Sequence, residues 1–231
     1  MTKHVVITGA NRGIGLGFVR YYLAKGDRVT ACCRRPGEAS ALIQLAEIHG
    51  NLNIIQLDVT DEASLRALPQ HLNDTAIDIL INNAGYYGPK GIGFGKLRAE
   101  EWQKVLAVNT IAPIMITQTC YPMLRKANNA KVICISSKMG SIADNQSGGS
   151  YLYRSSKAGL NAALKSLAID LRCEAIFCVA FHPGWVQTDM GGPNALITVT
   201  EAVEQMVTCI DRLDASQSGQ FLNFDGKVIP W

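Results

Sequence analysis

Short apolar runs alternate with helix-length segments along the 231-residue chain, and this alternation constrains the fold more than any other feature. Runs that are mostly continuous in apolar residues are typical of strands in parallel sheets, which are covered on both faces. Between them lie segments with helical periodicity, such as the leucine stripe in 158–171. The pattern predicts one α/β domain over residues 1–231, with a doubly wound parallel sheet of about seven strands and helices on both faces. The apolar runs are HVVIT (4–8), RVTACC (28–33), NIIQL (53–57), DILIN (78–82), KVICIS (131–136) and IFCVAF (176–181).

Charge and cysteine usage narrow the class of protein. The net charge is +3 and no basic run exceeds Arg34-Arg35, so neither a nucleic-acid nor a membrane partner is expected. The seven cysteines include no C-x-x-C pair, and most lie in apolar runs, so no metal site is predicted. The apolar run near the N-terminus is too short for a signal peptide. These features predict a reduced, cytoplasmic protein.

A glycine-rich turn follows the first apolar run as T-G-A-N-R-G-I-G, residues 8–15. Its G-x-x-x-G-x-G spacing differs from the G-x-G-x-x-G dinucleotide fingerprint. Glycines at a strand-to-helix turn nevertheless let the backbone approach a pyrophosphate at a helix N-terminus. The alternative is a glycine turn without a ligand. A second glycine-rich stretch, G-I-G-F-G (91–95), is predicted to be a loop.

Basic residues stand where an NAD-binding fold usually carries an acid. That acid follows the glycines by about 20 residues and binds the ribose 2′-hydroxyl. Here the region holds Arg34 and Arg35, with Arg12 inside the glycine turn. Guanidinium groups bind phosphate, so NADPH is favoured over NADH. The alternatives are solvated arginines at a strand end and, for Arg12, a role in the turn itself.

The stretch YLYRSSK (151–157) contains one pair suited to proton transfer. Tyr153 and Lys157 are four residues apart and share a helix face, whereas Tyr151 points elsewhere. An ammonium group beside a phenol favours the phenolate and lowers its pKa, which would make Tyr153 a better general acid. The alternative is a helical surface pair without a function.

Six motifs in order along the chain together resemble the short-chain dehydrogenase/reductase family. They are T-G-x-x-x-G-I-G (8–15), N-N-A-G (82–85), the asparagine of A-V-N-T (Asn109), I-S-S-x-x-G (135–140), Y-x-x-x-K (153–157) and P-G-x-x-x-T (183–188). The segment H-P-G-W-V-Q-T-D-M-G-G and the ending D-G-K-V-I-P-W are most similar to the C-factor-like and carbonyl-reductase-like members. The resemblance implies a Rossmann-type fold.

The resemblance also implies roles for individual residues. Tyr153 would protonate a carbonyl oxygen, and Ser137, selected over Ser136 by Gly140, would hydrogen-bond that oxygen across a serine-to-tyrosine spacing of 16 residues. Asn109 would complete a water-mediated proton path. Asp58 would meet the adenine ring, although it could equally cap a strand end. The full cofactor-binding set is Gly9, Asn11, Arg12, Gly13, Ile14, Gly15, Arg34, Arg35, Asp58, Val59, Asn83, Ala84, Gly85, Tyr153, Lys157 (on the nicotinamide ribose), Pro183, Gly184, Val186 and Thr188 (on the carboxamide).

Two functions of different class follow from these features. The first is an NADPH-dependent reductase of a ketone, aldehyde or quinone. The second is a C-factor-like, NAD(P)-binding signalling protein with little turnover. Residues 86–96 and 189–198 would form the substrate side, and the short second segment predicts an open pocket. The side chains in or next to these segments predict an apolar or aromatic carbonyl compound; they are Tyr86, Tyr87, Phe94, Trp185 and Met190. Family members are commonly dimers or tetramers, so a homo-oligomer is expected. The run FLNFDGKVIPW would form either an interface or an edge strand with its cover.

Overall fold

The computed structural model describes residues 2–231. Its strands are β1 (His4–Thr8), β2 (Arg28–Cys33), β3 (Leu52–Gln56), β4 (Ile79–Asn82), β5 (Ala130–Ile135), β6 (Ile176–His182) and β7 (Phe221–Asn223). Its α-helices are α1 (Gly13–Ala24), α2 (Ser40–Ile48), α3 (Glu62–His71), α4 (Ala99–Leu106), α5 (Ala112–Leu124), α6 (Tyr151–Asp170) and α7 (Val199–Arg212). The predicted strands are therefore confirmed with ends that move by about one residue, which is the usual uncertainty of strand boundaries.

All seven strands form one sheet in the order β3-β2-β1-β4-β5-β6-β7, and every pairing is parallel. The chain reverses the direction of strand addition between β1 and β4. In open α/β sheets ligands bind beyond the carboxyl ends of the strands at such a reversal. The topology therefore points to the loops that follow β1 and β4.

Alternate residues of the inner strands pack into two separate cores. Val5 and Ile7 of β1 face the core beneath α1, α2 and α7, whereas Val6 faces the core beneath α3, α5 and α6. In β5, Ile133 and Cys134 divide between the two cores in the same way. Side chains of successive strand residues point to opposite faces, so burial of both faces requires the continuous apolar runs in the sequence.

Polar caps and one edge strand complete the layers. Asp61 accepts a hydrogen bond from the Ser64 backbone at the start of α3, and Thr198 does the same for Glu201 at the start of α7. The C-terminal run is an edge strand with its cover, since Trp231 stacks on Phe221 of β7 with ring centroids 5.8 Å apart. Across residues 2–231, the helices lack the length and apolar character needed to span a bilayer.

Candidate active site

The turn between β1 and α1 requires its glycines for two different reasons. Gly9 and Gly13 have φ values of +62° and +53°, which side chains rarely adopt. At Gly15 the constraint is space, because a Cβ there would lie 2.4 Å from the Gly9 carbonyl oxygen. Helix α1 begins at Gly13 with no acidic residue in its first turn and no side-chain cap from Arg12. Its first backbone N–H groups are therefore free to bind an anion.

The N-N-A-G segment after β4 forms hydrogen bonds with the residues at the end of β1. The Asn83 amide donates to the carbonyl oxygens of Thr8 and Gly9 at 2.9 and 3.0 Å. The Thr8 hydroxyl accepts from the backbone N–H groups of Asn83 and Ala84, both at 3.1 Å. Asn83 thus fixes the conformation of the glycine turn, a role that its position after a strand did not reveal.

Two of the three arginines predicted to bind phosphate are paired with carboxylates. Arg35 lies 3.2 Å from Glu38, and Arg12 lies 2.5 Å from Asp189. In the described residues Arg34 makes neither a side-chain hydrogen bond nor an ion pair. Both pairs are highly exposed, and exposed ion pairs contribute little free energy, so they do not exclude a bound phosphate. Phosphate binding by Arg12 and Arg35 therefore stays a prediction. Arg34 fits a phosphate without a competing acid.

Asp58 forms a turn with its own neighbour. One oxygen of its carboxylate accepts from the backbone N–H and the hydroxyl of Thr60, at 2.9 and 2.7 Å. This is the strand-end role that the sequence left open. The adjacent Val59 is buried in the core beneath α3, α5 and α6, so it has little surface for a ligand.

Ser137, Tyr153 and Lys157 are all buried at the carboxyl end of β5 and the start of α6. The turn after Ser137 packs directly against α6 because Gly140 has no side chain: a Cβ there would lie 2.8 Å from the backbone carbon of Lys157. Burial raises the pKa of Tyr153 to about 12, while the Ser137 hydroxyl facing the phenol acts in the opposite direction. The structure thus brings the three predicted residues together.

Lys157 interacts with the backbone more than with the tyrosine. Its Nζ atom donates to the Ile135 carbonyl oxygen at 2.8 Å and lies 5.8 Å from the centre of the Tyr153 ring. Burial lowers the pKa of Lys157 to about 8. The prediction that Lys157 lowers the tyrosine pKa is therefore not met by this arrangement, in which the burial of the phenol dominates.

Asn109 lies in a π-helical turn, Ala107–Ile111, between α4 and α5. Its side-chain oxygen accepts from the Tyr86 backbone at 2.8 Å, and its amide donates to Tyr86 and to the Ser156 hydroxyl at 2.8 and 3.0 Å. These bonds hold the side chain between the loop after β4 and helix α6. The part of Asn109 in a water-mediated proton path stays a prediction.

The segment after β6 folds back over the glycine turn. Gly184 has φ +86°, and a Cβ there would meet Ile197 at 2.5 Å. Thr188 accepts a bond from the Gly191 backbone at 3.1 Å and lies 3.3 Å from the Cβ position of Gly13. Pro183 and Val186 are buried within this segment. Thr188 therefore lies beside the N-terminal end of α1.

The sequence analysis did not predict that Arg154 holds the long loop between Ser137 and Tyr153. Arg154 donates to the Met139 and Gly148 carbonyl oxygens at 3.3 and 3.2 Å and to the Ser147 hydroxyl at 2.8 Å. These bonds tie both ends of the loop to the first turn of α6. Arg154 itself was visible in the sequence, because it directly follows Tyr153. Its hydrogen-bond partners could not be predicted, because they lie in a segment without periodicity.

A doubly wound parallel sheet with buried serine, tyrosine and lysine residues beside a free helix N-terminus defines a nucleotide-dependent oxidoreductase fold. Residues 3–196 match the short chain dehydrogenase family, and the chain is a member of the short-chain dehydrogenase/reductase family.

Individual relatives agree with this assignment. The C-signal protein of Myxococcus xanthus is 39% identical over 167 residues, covering 72% of this chain and 100% of that protein. The carbonyl reductase Sniffer of D. melanogaster superposes with a TM-score of 0.95 at 37% identity, covering all of both chains. The NADPH-bound carbonyl reductase from chicken fatty liver superposes with a TM-score of 0.93 at 41% identity, covering 100% of this chain and 99% of that chain.

Proposed function

We propose that this protein reduces the carbonyl group of a ketone, aldehyde or quinone to the alcohol with NADPH, and that Tyr153 is the proton donor. The observation that carries the proposal is the convergence of Ser137, Tyr153 and Lys157 in one buried site. A pure binding module has no need of a buried acid beside a second hydroxyl donor. The likeness to the NADPH-bound carbonyl reductase supports the same conclusion.

The residues present fit the cofactor. The first turn of α1 has no competing acid for a pyrophosphate, and Arg34 has no partner that would compete for a 2′-phosphate. Gly85 lies close to Lys157, since a Cβ at Gly85 would be 3.9 Å from the lysine Nζ. Lys157 and Thr188 would hold the nicotinamide half, whereas Asn83, Ala84 and Asp58 would line the adenosine half.

The reduction combines a hydride from the cofactor with a proton and a hydrogen bond from residues of this chain. NADPH, when bound, would supply the hydride to the carbonyl carbon and would become NADP⁺. The electron pair of the C=O π bond moves to oxygen, where Ser137 donates a hydrogen bond to the developing charge. Tyr153 transfers its proton to that oxygen, which completes the alcohol. Burial raises the pKa of Tyr153 to about 12, so the phenol holds its proton at neutral pH and is a weaker acid than a free tyrosine.

NADPH oxidation against a panel of quinones, aldehydes and diketones tests this proposal in the wild type and in Tyr153→Phe. The substitution keeps the ring and removes only the proton donor. General acid catalysis contributes about 10²- to 10⁴-fold, so kcat should fall by that range while NADPH binding is kept. Tyr121→Phe on α5 is the matched control and should retain full activity. A Tyr153→Phe variant with wild-type kcat would refute the mechanism.

The likeness to C-signal favours a second candidate, a nucleotide-binding signalling protein. The same assay separates the two functions. Tight NADPH binding by the wild type, with no oxidation in the presence of any carbonyl compound in the panel, would support signalling. Turnover that depends on the Tyr153 hydroxyl would support the reductase.

A further inference from the structure

An aromatic side chain from the 86–96 loop lies directly on the ring of Tyr153. The Tyr87 and Tyr153 ring centroids are 4.6 Å apart, and the ring planes differ by 30°. This is a stacked pair, well within the distance at which aromatic rings attract each other. Tyr87 therefore covers one face of the proton donor.

Two further contacts hold Tyr87 in this position. Its hydroxyl is 2.9 Å from the Ser150 hydroxyl, and Ser150 stands immediately before α6 in the left-handed region with φ +44°. The Lys90 ammonium lies 5.8 Å from the Tyr87 ring and also donates to the Met190 carbonyl oxygen at 3.4 Å. The Tyr87 ring is thus held by a hydrogen bond, a stack and a cation.

The same ring forms one wall of a cavity of about 250 Å³. Tyr87, Tyr151 and Tyr153 contribute aromatic surface to this cavity, and the rest of the wall combines glycine backbone with Ser150 and the aliphatic residues Pro89, Ile92 and Leu152. This volume lies below the roughly 300–1,000 Å³ that is usual for ligand sites. A small cavity with three aromatic side chains in its wall fits a flat ring better than a puckered one, because flat rings stack on aromatic faces. The glycines are Gly91, Gly93 and Gly149.

We propose that Tyr87 is a positioning and specificity-determining residue, which holds the Tyr153 ring and selects flat, conjugated carbonyl compounds over puckered ones of equal size. This inference rests on the proposed reductase function. The groups around Tyr153 are Lys157 on its own helix, Ser137 after β5 and Tyr87 on the loop, with the Lys90 charge beyond Tyr87. Among them, Tyr87 is the one that contacts both the acid and the cavity.

A matched pair of ketones tests the proposal. Acetophenone and cyclohexyl methyl ketone share the reacting group and differ in having a flat or a puckered ring. Their kcat/KM ratio is measured with NADPH in wild type, Tyr87→Leu and Tyr87→Phe. Comparison of ratios between variants removes the intrinsic reactivity of each ketone. Fluorescence titration with NADPH shows that each variant is folded, and Tyr87→Met replaces Tyr87→Leu if the latter does not bind NADPH.

Tyr87→Leu should lower the flat-to-puckered ratio by roughly 2- to 10-fold, which corresponds to the loss of one aromatic pair. Tyr87→Phe keeps the ring and should keep the ratio. An unchanged ratio in the leucine or methionine variant, or an equal fall in the phenylalanine variant, would overturn the inference while leaving the reductase intact. Absence of NADPH oxidation by the wild type with every carbonyl compound would instead overturn the proposed function.

Discussion

At the scale of single residues, the contrast among the three arginines leads to a prediction about cofactor choice. Arg34 is the arginine without an acidic partner, so its replacement should affect NADPH far more than NADH. A charge-assisted hydrogen bond contributes about 1.5–3 kcal/mol, so Arg34→Asp should lower the NADPH-to-NADH ratio of kcat/KM by at least roughly 10-fold.

The control for this measurement is Arg172→Asp, which makes the same charge change beyond the far end of α6. A 20-residue helix is about 30 Å long, so this position is remote from the glycine turn. A wild type that prefers NADH, or an Arg34→Asp variant with the wild-type ratio, would contradict the assignment of Arg34.

Individual side chains also show which features of the site could be predicted from the sequence and which could not. The four-residue spacing correctly placed Tyr153 and Lys157 on one helix face, because helical geometry is local. It did not predict that burial would raise the pKa of Tyr153, because burial depends on other segments, such as the loop whose Tyr87 ring stacks on the phenol. Likewise, the pairing of Arg12 with Asp189 joins residues 177 positions apart. Contacts of that kind leave no periodic signal.

At the scale of elements, the packing of the Ser137 turn against α6 depends on one glycine. A Cβ at Gly140 would lie 2.8 Å from the Lys157 backbone carbon and 3.0 Å from the Ala158 nitrogen, and backbone atoms in a helix cannot yield easily. Gly140→Ala should therefore push the turn away from α6. Overpacking of this kind costs about 1–3 kcal/mol in the free energy of unfolding.

Thermal unfolding and kcat together check this prediction. Gly50→Ala is a suitable control, because a Cβ there would meet no atom within 4 Å. We expect a lower Tm and a lower kcat for Gly140→Ala and wild-type values for Gly50→Ala. Equal behaviour of the two variants would show that the turn adjusts without cost.

The elements differ in how far sequence could define them. Helices α6 and α7 and the inner strands follow from apolar spacing, because their burial repeats with the period of the element. The π-helical turn around Asn109 could not be found in this way, since it inserts into an otherwise helical pattern. The same holds for the loop before α6, whose shape is set by Arg154 and its three partners.

At the scale of the whole molecule, the buried His4 and the half-buried His182 predict how stability changes with pH. Burial lowers the pKa of His4 below its ordinary value of 6.5 and lowers that of His182 to about 4. The unfolded chain therefore binds protons below about pH 6.5 that the folded chain does not bind. Unfolding takes up these protons, so stability should fall as the pH decreases from 6.5 towards 4.

Urea unfolding at several pH values between 7 and about 4 measures this dependence. His182→Gln removes one titrating group and should reduce the slope, while His71→Gln, at an exposed position, should leave it unchanged. Lys138 and Asp144 act on His182 in opposite directions, so their charges do not reverse the sign. A His182→Gln variant with the wild-type slope would show that this residue does not contribute.

Most of the fold was predictable because a sheet buried on both faces imposes continuous apolar runs on the sequence, and six such runs that alternate with helical segments leave few possible topologies. The short β7, of three residues, was visible only as an apolar run with two possible roles. A strand of that length carries too little pattern to be told from a covering loop.

The alternation of β5 between the two cores has a consequence for how this protein can change during evolution. Insertion of one residue into β5 would exchange Ile133 and Cys134 between the cores and would also displace Ser137 from Tyr153. Stability and catalysis would then fail together. Length variation should therefore be tolerated in the loop between Ser137 and α6 and not in the strand before it, so related chains should differ in the spacing between serine and tyrosine while keeping the length of β5.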